Sequence, residues 1–360
     1  MLLIDKYIIK NFIFTFMFAI LALSVIFIIV NLLERLDDFL DQNATFYVIA
    51  KYYINYLPAI FQILTPLATL LSTLFTYGRM SNLNEITAMK SGGASLYRFM
   101  LPVLILSILI SFAQLYFNGW IVPVANQNKN QIEKKYLNIS RSGSTIYNLY
   151  FRDSPTTNIL MQYYDAPSKT GSRISIEEFT EDYKPRLKKR YDASEIKWDS
   201  VNNIWKMKDV LIRNYNENRI IQMRIPEYDI NINISHNKIS KLQQSPEEMN
   251  FDELKDYIDL LKLGGKDVKL LLIDYYGKWA FPFANIIVIL FGVPFASIKR
   301  RGGIAIQIGA AMIVSFTYMI FTKVSQTISY AYDFEPIISG WIANFIFLII
   351  GIITIYKTRT

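Results

Sequence analysis

Six stretches of this chain run for the length of a membrane span without a single Asp, Glu, Lys or Arg. They are Asn11–Leu33, Tyr52–Gly78, Phe99–Asn128, Trp279–Ile298, Gly302–Thr322 and Pro336–Tyr356. Crossing about 30 Å of hydrocarbon takes roughly 20 apolar residues in an α-helix, which satisfies its own backbone polar groups. Only 19% of the 360 residues are charged, against 52% hydrophobic, and the charges gather between the runs. That segregation predicts an integral membrane protein, an α-helical bundle of six transmembrane helices. The first run is longer than a signal-peptide core and no small-residue cleavage pattern follows it, so it reads as a retained span. The third is overlong, with Asn118, Gly119 and Trp120 expected to mark its approach to the far interface.

The short loops set the orientation. Lys6, Lys10, Arg79, Lys90, Arg98, Lys299, Arg300, Arg301, Lys357 and Arg359 fall on one side; Glu34, Asp37, Asp38, Asp41, Asp333 and Glu335 fall on the other, near Arg35 and Lys51. An excess of basic residues in short loops marks the cytoplasmic face, which puts both termini in the cytoplasm. Six spans require the same parity.

Between the third and fourth spans lies a long polar insert. Runs such as "STIYNLYFR", "NILMQYYD", "SRISIEEF" and "NIWKMKDVLIRNY" are rich in β-branched and aromatic residues and separated by polar turns. Short strands at that spacing predict a sandwich or jelly roll. After Pro246, residues Phe251, Leu254, Tyr257, Ile258 and Leu261 recur at helical spacing and Gly264-Gly265 ends the run. The expected organisation is 3+3: residues 1–128 with spans one to three, an extracytoplasmic β domain over 129–245, a connecting helix within 246–274, and spans four to six over 275–360.

Several chemistries are excluded or unsupported. The net charge of +8 is not concentrated on one soluble face, which argues against nucleic acid. Gly264-Gly265-Lys266 is followed by Asp267 and lacks the spaced glycine and hydroxyl of a phosphate-binding loop, so no ATP hydrolysis is expected in this chain. The single histidine, His236, has no zinc-ligand pattern around it and reads as a surface residue. There are no cysteines, hence no disulfides or thiolate sites, which fits a domain in an oxidising compartment. No catalytic set of ionisable residues lies in the spans, where such groups are costly. Asn43, Asn138 and Asn233 begin glycosylation-type triplets that carry no weight here. Pro58, Pro66, Pro102, Pro282, Pro294, Gly302, Gly303 and Gly309 punctuate the spans, compatible with a moving or a static bundle.

Two groups of residues are candidate sites. Arg35, Lys278 and Lys323 lie near the extracytoplasmic ends of their spans. They read either as snorkelling cations or as contacts for the phosphates of an anionic lipid. The second group is "RMSNLNEITAMKSGG", Arg79 to Gly93, which reads as a short amphipathic helix on the cytoplasmic side. Asn82 and Glu85 have capping-box spacing; Leu83, Ile86 and Met89 form a stripe; Lys90 suits the last turn; Gly92-Gly93 is the stop. Such a helix either lies in the headgroup region or docks in a groove of a cytoplasmic partner, and Glu85 favours docking.

At this point the chain resembles a known family. "IDKYIIKNF", "NEITAMKSGGAS", "MNFDELKDYIDLLKLGGKD" and the 3+β+3 layout together resemble the LptF/LptG permeases of the lipopolysaccharide export transporter, over nearly the whole length. The resemblance implies a β-jellyroll insert and a non-catalytic permease paired with a paralogous LptF or LptG permease. It also implies a cytoplasmic LptB-type ATPase that holds the ATP and Mg. Lipopolysaccharide would leave the membrane through a lateral gate of first and fifth spans and pass to periplasmic LptC/LptA-type jellyroll proteins. Glu85 matches the coupling-helix glutamate that meets the ATPase. LptG-type members can carry a basic residue late in the first span that meets lipid phosphate; here that position is Asn31, with Arg35 one turn on. "IDKYI" resembles LptG and "NEITAMKSGGAS" resembles LptF as closely, so the paralogue stays open. A reading from another class is a membrane-anchored sensor or scaffold that moves no lipid; a third is a mechanical ABC permease acting on periplasmic partners.

Overall fold

The computed structural model describes residues 3–136, 145–216, 219–241, 244–263, 265–297 and 303–357. Asn138, Gly264, Lys299, Arg300, Arg301, Gly302 and Arg359 lie outside them. In chain order the elements are α1 (Leu3–Asp41), α2 (Phe46–Asn82), α3 (Glu85–Ser91), α4 (Leu96–Tyr116), a π turn (Phe117–Ile121) and α5 (Val122–Tyr136). Six strands follow: β1 (Thr145–Ser154), β2 (Thr157–Asp165), β3 (Thr170–Phe179), β4 (Leu187–Asp199), β5 (Ile204–Asn216) and β6 (Arg219–Ile230). The remainder is α6 (His236–Lys241), α7 (Phe251–Leu263), α8 (Lys269–Ala280), α9 (Ala284–Ser297), α10 (Gly303–Ala331) and α11 (Pro336–Lys357). The chain divides into two compact units, residues 1–138 with 269–360, and residues 139–268.

Among the described residues of the first unit, five helical segments are long and apolar enough to cross a membrane: Leu3–Asp41, Phe46–Asn82, Leu96–Tyr136, Lys269–Ser297 and Pro336–Lys357. α10 is a further helix of 29 residues whose sequence holds one Lys, Lys323, and no Asp, Glu or Arg. The degree of cover differs sharply among them. In their most apolar windows 61% of the second segment and 67% of the fourth are buried, but only 17% of the first. α2, α8 and α9 therefore form the interior, and α1 packs against α2 and α4 from the side. Close approach between α8 and α11 depends on Gly340: a Cβ there would stand 2.8 Å from the backbone nitrogen of Gly277.

Pro58 and Pro66 lie inside α2 without ending it. A membrane helix tolerates such breaks where neighbouring groups take up the freed carbonyls; Pro66 frees that of Gln62, to which Gln114 Nε2 on α4 donates at 2.9 Å. The overlong third run is one continuous helical course that gains a residue at the π turn, where Asn118 and Gly119 are buried inside the bundle.

The domain boundaries shift from those expected. The polar stretch from Lys129 to Tyr136 is helical, not β, because Lys129 and Glu133 turn inward and are buried by charge pairing. The fourth long helix begins at Lys269, since Ile273 and Ala280 face the bundle despite Asp274 and Lys278 nearby. The segment between splits: α7 belongs to the β unit, and Gly265, at φ 69°, terminates it with the two reversed hydrogen bonds of a Schellman stop.

The β unit is a single antiparallel sheet in the order β1-β2-β3-β4-β5-β6, every strand paired with its sequence neighbours. It is an up-and-down meander; the crossing connections of a jelly roll are not among these pairings. Alternation along the strands sends Leu149, Phe151, Ile159, Met161, Ile174, Ile176, Trp205 and Met207 to one face, and a break in phase at Asp209, φ 53°, leaves Val210 buried with them. Ile232, Ile234, Ile239 and Leu260 close over that core. Trp205 Nε1 donates to the Ile234 carbonyl at 2.9 Å, which fixes the returning chain on the apolar face.

His236 is not a free surface residue. Its Nδ1 lies 2.6 Å from the hydroxyl of Tyr164, itself wholly buried. Burial, then the nearby charge of Lys169, hold its pKa below the ordinary imidazole value. A base with a lowered folded pKa contributes stability that is full above the unfolded value near 6.5 and is lost as pH falls below it. Unfolding of the β unit within the full chain is expected to move to lower temperature between about pH 7.5 and about pH 5.5. His236→Gln should flatten that dependence; an equal shift in both proteins would remove His236 as its cause.

Candidate functional site

α1 joins two polar clusters that lie 28 residues apart along it, roughly 40 Å at about 1.5 Å per residue. At its start, Asp5 Oδ2 accepts from Arg98 Nη2 on α4 at 2.9 Å, and Arg98 Nη1 stands 2.8 Å from Asp5 Oδ1 as an ion pair. Tyr7, two residues further on, donates its hydroxyl to Glu85 Oε1 at 3.3 Å. The "IDKYI" segment and the Arg79–Gly93 segment are thus tied together.

The latter is not the helix expected. Arg79 to Asn82 complete α2, and Leu83 and Asn84 make the bend, with Asn84 in the left-handed region at φ 60°. The capping box between Asn82 and Glu85 is absent; the first residue of α3 is Glu85, and its N-cap, Asn84, makes no side-chain cap bond. The same motif does form at α7, where Asn250 and Glu253 exchange both bonds, at 2.8 and 3.2 Å. Sequence spacing alone does not separate the two cases, because at Asn82 the chain already satisfies its donors inside α2.

The apolar stripe also divides. Ile86, 2% exposed, and Met89 pack into the bundle core, whereas Leu83 is 57% exposed because the bend at Asn84 takes it out of phase. Asn82, Thr87, Ala88, Lys90 and Ser91 are exposed and Glu85 is half-exposed. The stop is as expected: Gly93, at φ 84°, lets its N–H reach Lys90 O and the Ala94 N–H reach Met89 O. α3 is a short helix seated on the bundle by two apolar residues, with a polar outer face edged by a carboxylate.

At the far end of α1, Arg35 Nη1 lies 3.2 Å from Glu133 Oε1 on α5. The Tyr52 hydroxyl donates to the same oxygen at 3.1 Å, and Lys129 Nζ stands 3.9 Å from it. Lys129 also lies over the Tyr56 ring at 5.0 Å. Tyr53 donates to Asn31 Oδ1 at 3.3 Å, and Phe39, Tyr52 and Tyr53 meet edge to face beside the cluster. Asn31 and Arg35 are therefore brought into one aromatic-walled site. Lys278, half-buried, and Lys323, exposed, lie on α8 and α10, which pack against each other.

Sequence reasoning missed Lys129, Glu133 and Tyr52. It also missed a polar seam through the interior, in which Asn285 Nδ2 donates to Gln114 Oε1 at 2.6 Å and Thr69 Oγ1 donates to Asn285 Oδ1 at 3.1 Å. Gln114 Nε2 continues to the Gln62 carbonyl at 2.9 Å. The available signal was uncharged polar residues within greasy runs, which charge counting passes over.

A bundle with five membrane-length helical segments and an antiparallel β unit inserted after the third defines a multi-pass membrane protein with an inserted β domain. The family model described as "Lipopolysaccharide export system permease LptF/LptG" matches residues 6–357, and the chain belongs to that family. It is similar to the lipopolysaccharide export system permease protein LptG of two Escherichia coli strains, K12 and O6:H1. Identity to each is 19% over 351 residues, covering 97% of this chain and 96% of theirs.

Proposed function

We propose that the chain is a permease subunit of an ATP-driven lipopolysaccharide exporter. It pairs with a paralogous LptF or LptG permease and spans the bacterial inner membrane six times, α10 included, with both termini cytoplasmic and the β unit periplasmic. The observation that carries this reading is the cover of α1. A helix so apolar and so little buried by its own chain must meet lipid or another subunit, and its uncovered face ends at a cationic cluster. α10 likewise turns Ile313, Phe316 and Ile320 outward. Two such helices suit a lateral gate, with Arg35 and Asn31 placed for the phosphates of the lipid and Lys278 and Lys323 as further candidates. The β unit, with its continuous apolar inner face, takes the part of the family's β-jellyroll and hands the lipid to LptC/LptA-type proteins.

The chain does no chemistry on the lipid; energy comes from ATP and Mg on an LptB-type ATPase gripping α3. Ile86 and Met89 serve as the anchor of α3 on the bundle, while Asn82, Leu83, Glu85 and Lys90 present the surface that the ATPase meets. A force applied to α3 passes to α1 through the Tyr7–Glu85 bond and to α2 through the two-residue bend. Glu85→Arg is expected to cut copurification of the ATPase at least tenfold without unfolding the bundle, because Glu85 is half-exposed. Tyr7→Phe, which removes only the internal bond, should retain the ATPase. Undiminished ATPase assembly and export in Glu85→Arg would refute the docking assignment.

A further inference from the structure

Glu133 is the most deeply buried carboxylate of the cluster around Arg35, 1% exposed, and its two oxygens are used unequally. Oε1 takes Arg35, Tyr52 and the approach of Lys129, while Oε2 is buried with no hydrogen-bond partner among the described residues. Two cations thus converge on one carboxylate whose bonding is half complete. A buried arrangement of that kind is a weak source of stability, since desolvation offsets most of the attraction. It is, however, a well-formed anion cradle: a guanidinium, an ammonium and a phenol hydroxyl converge on one oxygen.

We propose that Glu133 is an internal competing anion, which occupies the Arg35 cradle in place of a phosphate group on the transported lipid and so weakens the lipid's hold. The proposal rests on the reading of Arg35 as a lipid-phosphate contact and deepens it. A transport site must bind strongly enough to admit its cargo and weakly enough to release it. An arginine–phosphate pair in a partly desolvated site is strong, and a tethered carboxylate at contact distance shortens its lifetime by exchanging with it. The ligand is lipid-borne rather than free phosphate, because the surface leading to the cradle is apolar: Ile29, Val30, Leu33 and Leu36 are exposed on α1.

The test uses the full chain assembled with its partner subunits in nanodiscs, probed with radiolabelled lipid A and with lipid A stripped of its phosphates. Glu133→Gln keeps the shape and an acceptor for Tyr52 but removes the charge. It should bind phosphorylated lipid A roughly tenfold more tightly than wild type and release it more slowly, the scale of one charge-assisted contact. Binding of the stripped probe should not change. Glu133→Asp, charged but one methylene shorter, withdraws the carboxylate from Arg35 and should fall between the two; it decides the matter if Glu133→Gln does not assemble. Arg35→Gln should lose the preference for phosphate. If that preference is lost in Arg35→Gln but neither Glu133 variant tightens binding, the competing-anion proposal is wrong and the Arg35 reading stands. If wild type shows no preference for phosphate at all, both fail. If millimolar inorganic phosphate competes as well as lipid A, the lipid-borne assignment fails.

Discussion

Gly340→Leu should cost the helical bundle more than any other single substitution in it. The added Cβ would meet Gly277 N and the Tyr276 carbonyl carbon at 2.8 Å, and Tyr276 Cβ at 2.9 Å. Those atoms are mostly backbone, so no side-chain rotation relieves the collision and α11 must move away from α8. Overpacking typically costs roughly 1–3 kcal/mol, and a clash against a helix backbone belongs at the upper end or beyond. The cost would spread, because the Asn344 amide that reaches the Ala280 carbonyl at 2.6 Å sits one turn further along the same contact. Size-exclusion thermostability of the detergent-solubilised chain is the measurement, with Gly309→Leu as the control, since nothing lies within 4 Å of a Cβ there. Equal melting of the two variants would mean that α8 and α11 are not in the close contact described.

Trp205→Ala is expected to unfold the β unit while leaving the bundle intact. Trp205 is wholly buried, packs edge to face on Trp198 at 5.0 Å and on Tyr164 at 6.1 Å, and holds the Ile234 carbonyl. Removing it leaves a cavity and an unpaired buried carbonyl together, about 3–5 kcal/mol for the truncation alone. The returning chain is bonded to the sheet at Trp205 through the Ile234 carbonyl, so β4 and β5 would separate from it there. Limited proteolysis of the full chain should then cleave within residues 145–241 while the helical fragments persist. Trp205→Phe should lie between, retaining most of the volume and losing the N–H donor. A protease pattern unchanged from wild type in Trp205→Ala would show that the core is not centred there.

What could be read from the sequence was whatever depends on solvent and on local spacing. The charge-free runs located the membrane-length helices because hydrocarbon excludes ionised groups over any window of that length. The β texture of the insert and the helical period of Phe251 to Leu261 were legible for the same reason: periodicity follows from which face is buried. The glycine stop after α3 was legible because few other residues adopt its backbone angles. The candidate site was legible only in part. Glu85, Asn31 and Arg35 were singled out as candidates from position and resemblance. Their partners Tyr7, Tyr53 and Glu133 lie 78, 22 and 98 residues away, and no local pattern points to them.

The sequence by itself determined the class of protein and the presence of a β insert, since these are settled by free energies of transfer that add residue by residue. Only the tertiary structure decided that Lys129 to Tyr136 are helical, that Ile86 and Met89 turn inward while Leu83 turns out, and that the strands follow one another as a meander. It alone decided, too, that a carboxylate fills the cradle around Arg35. Each of those outcomes depends on a group finding its counter-charge, its packing partner or its backbone neighbour elsewhere in the chain, and such energies belong to pairs of residues rather than to either one alone.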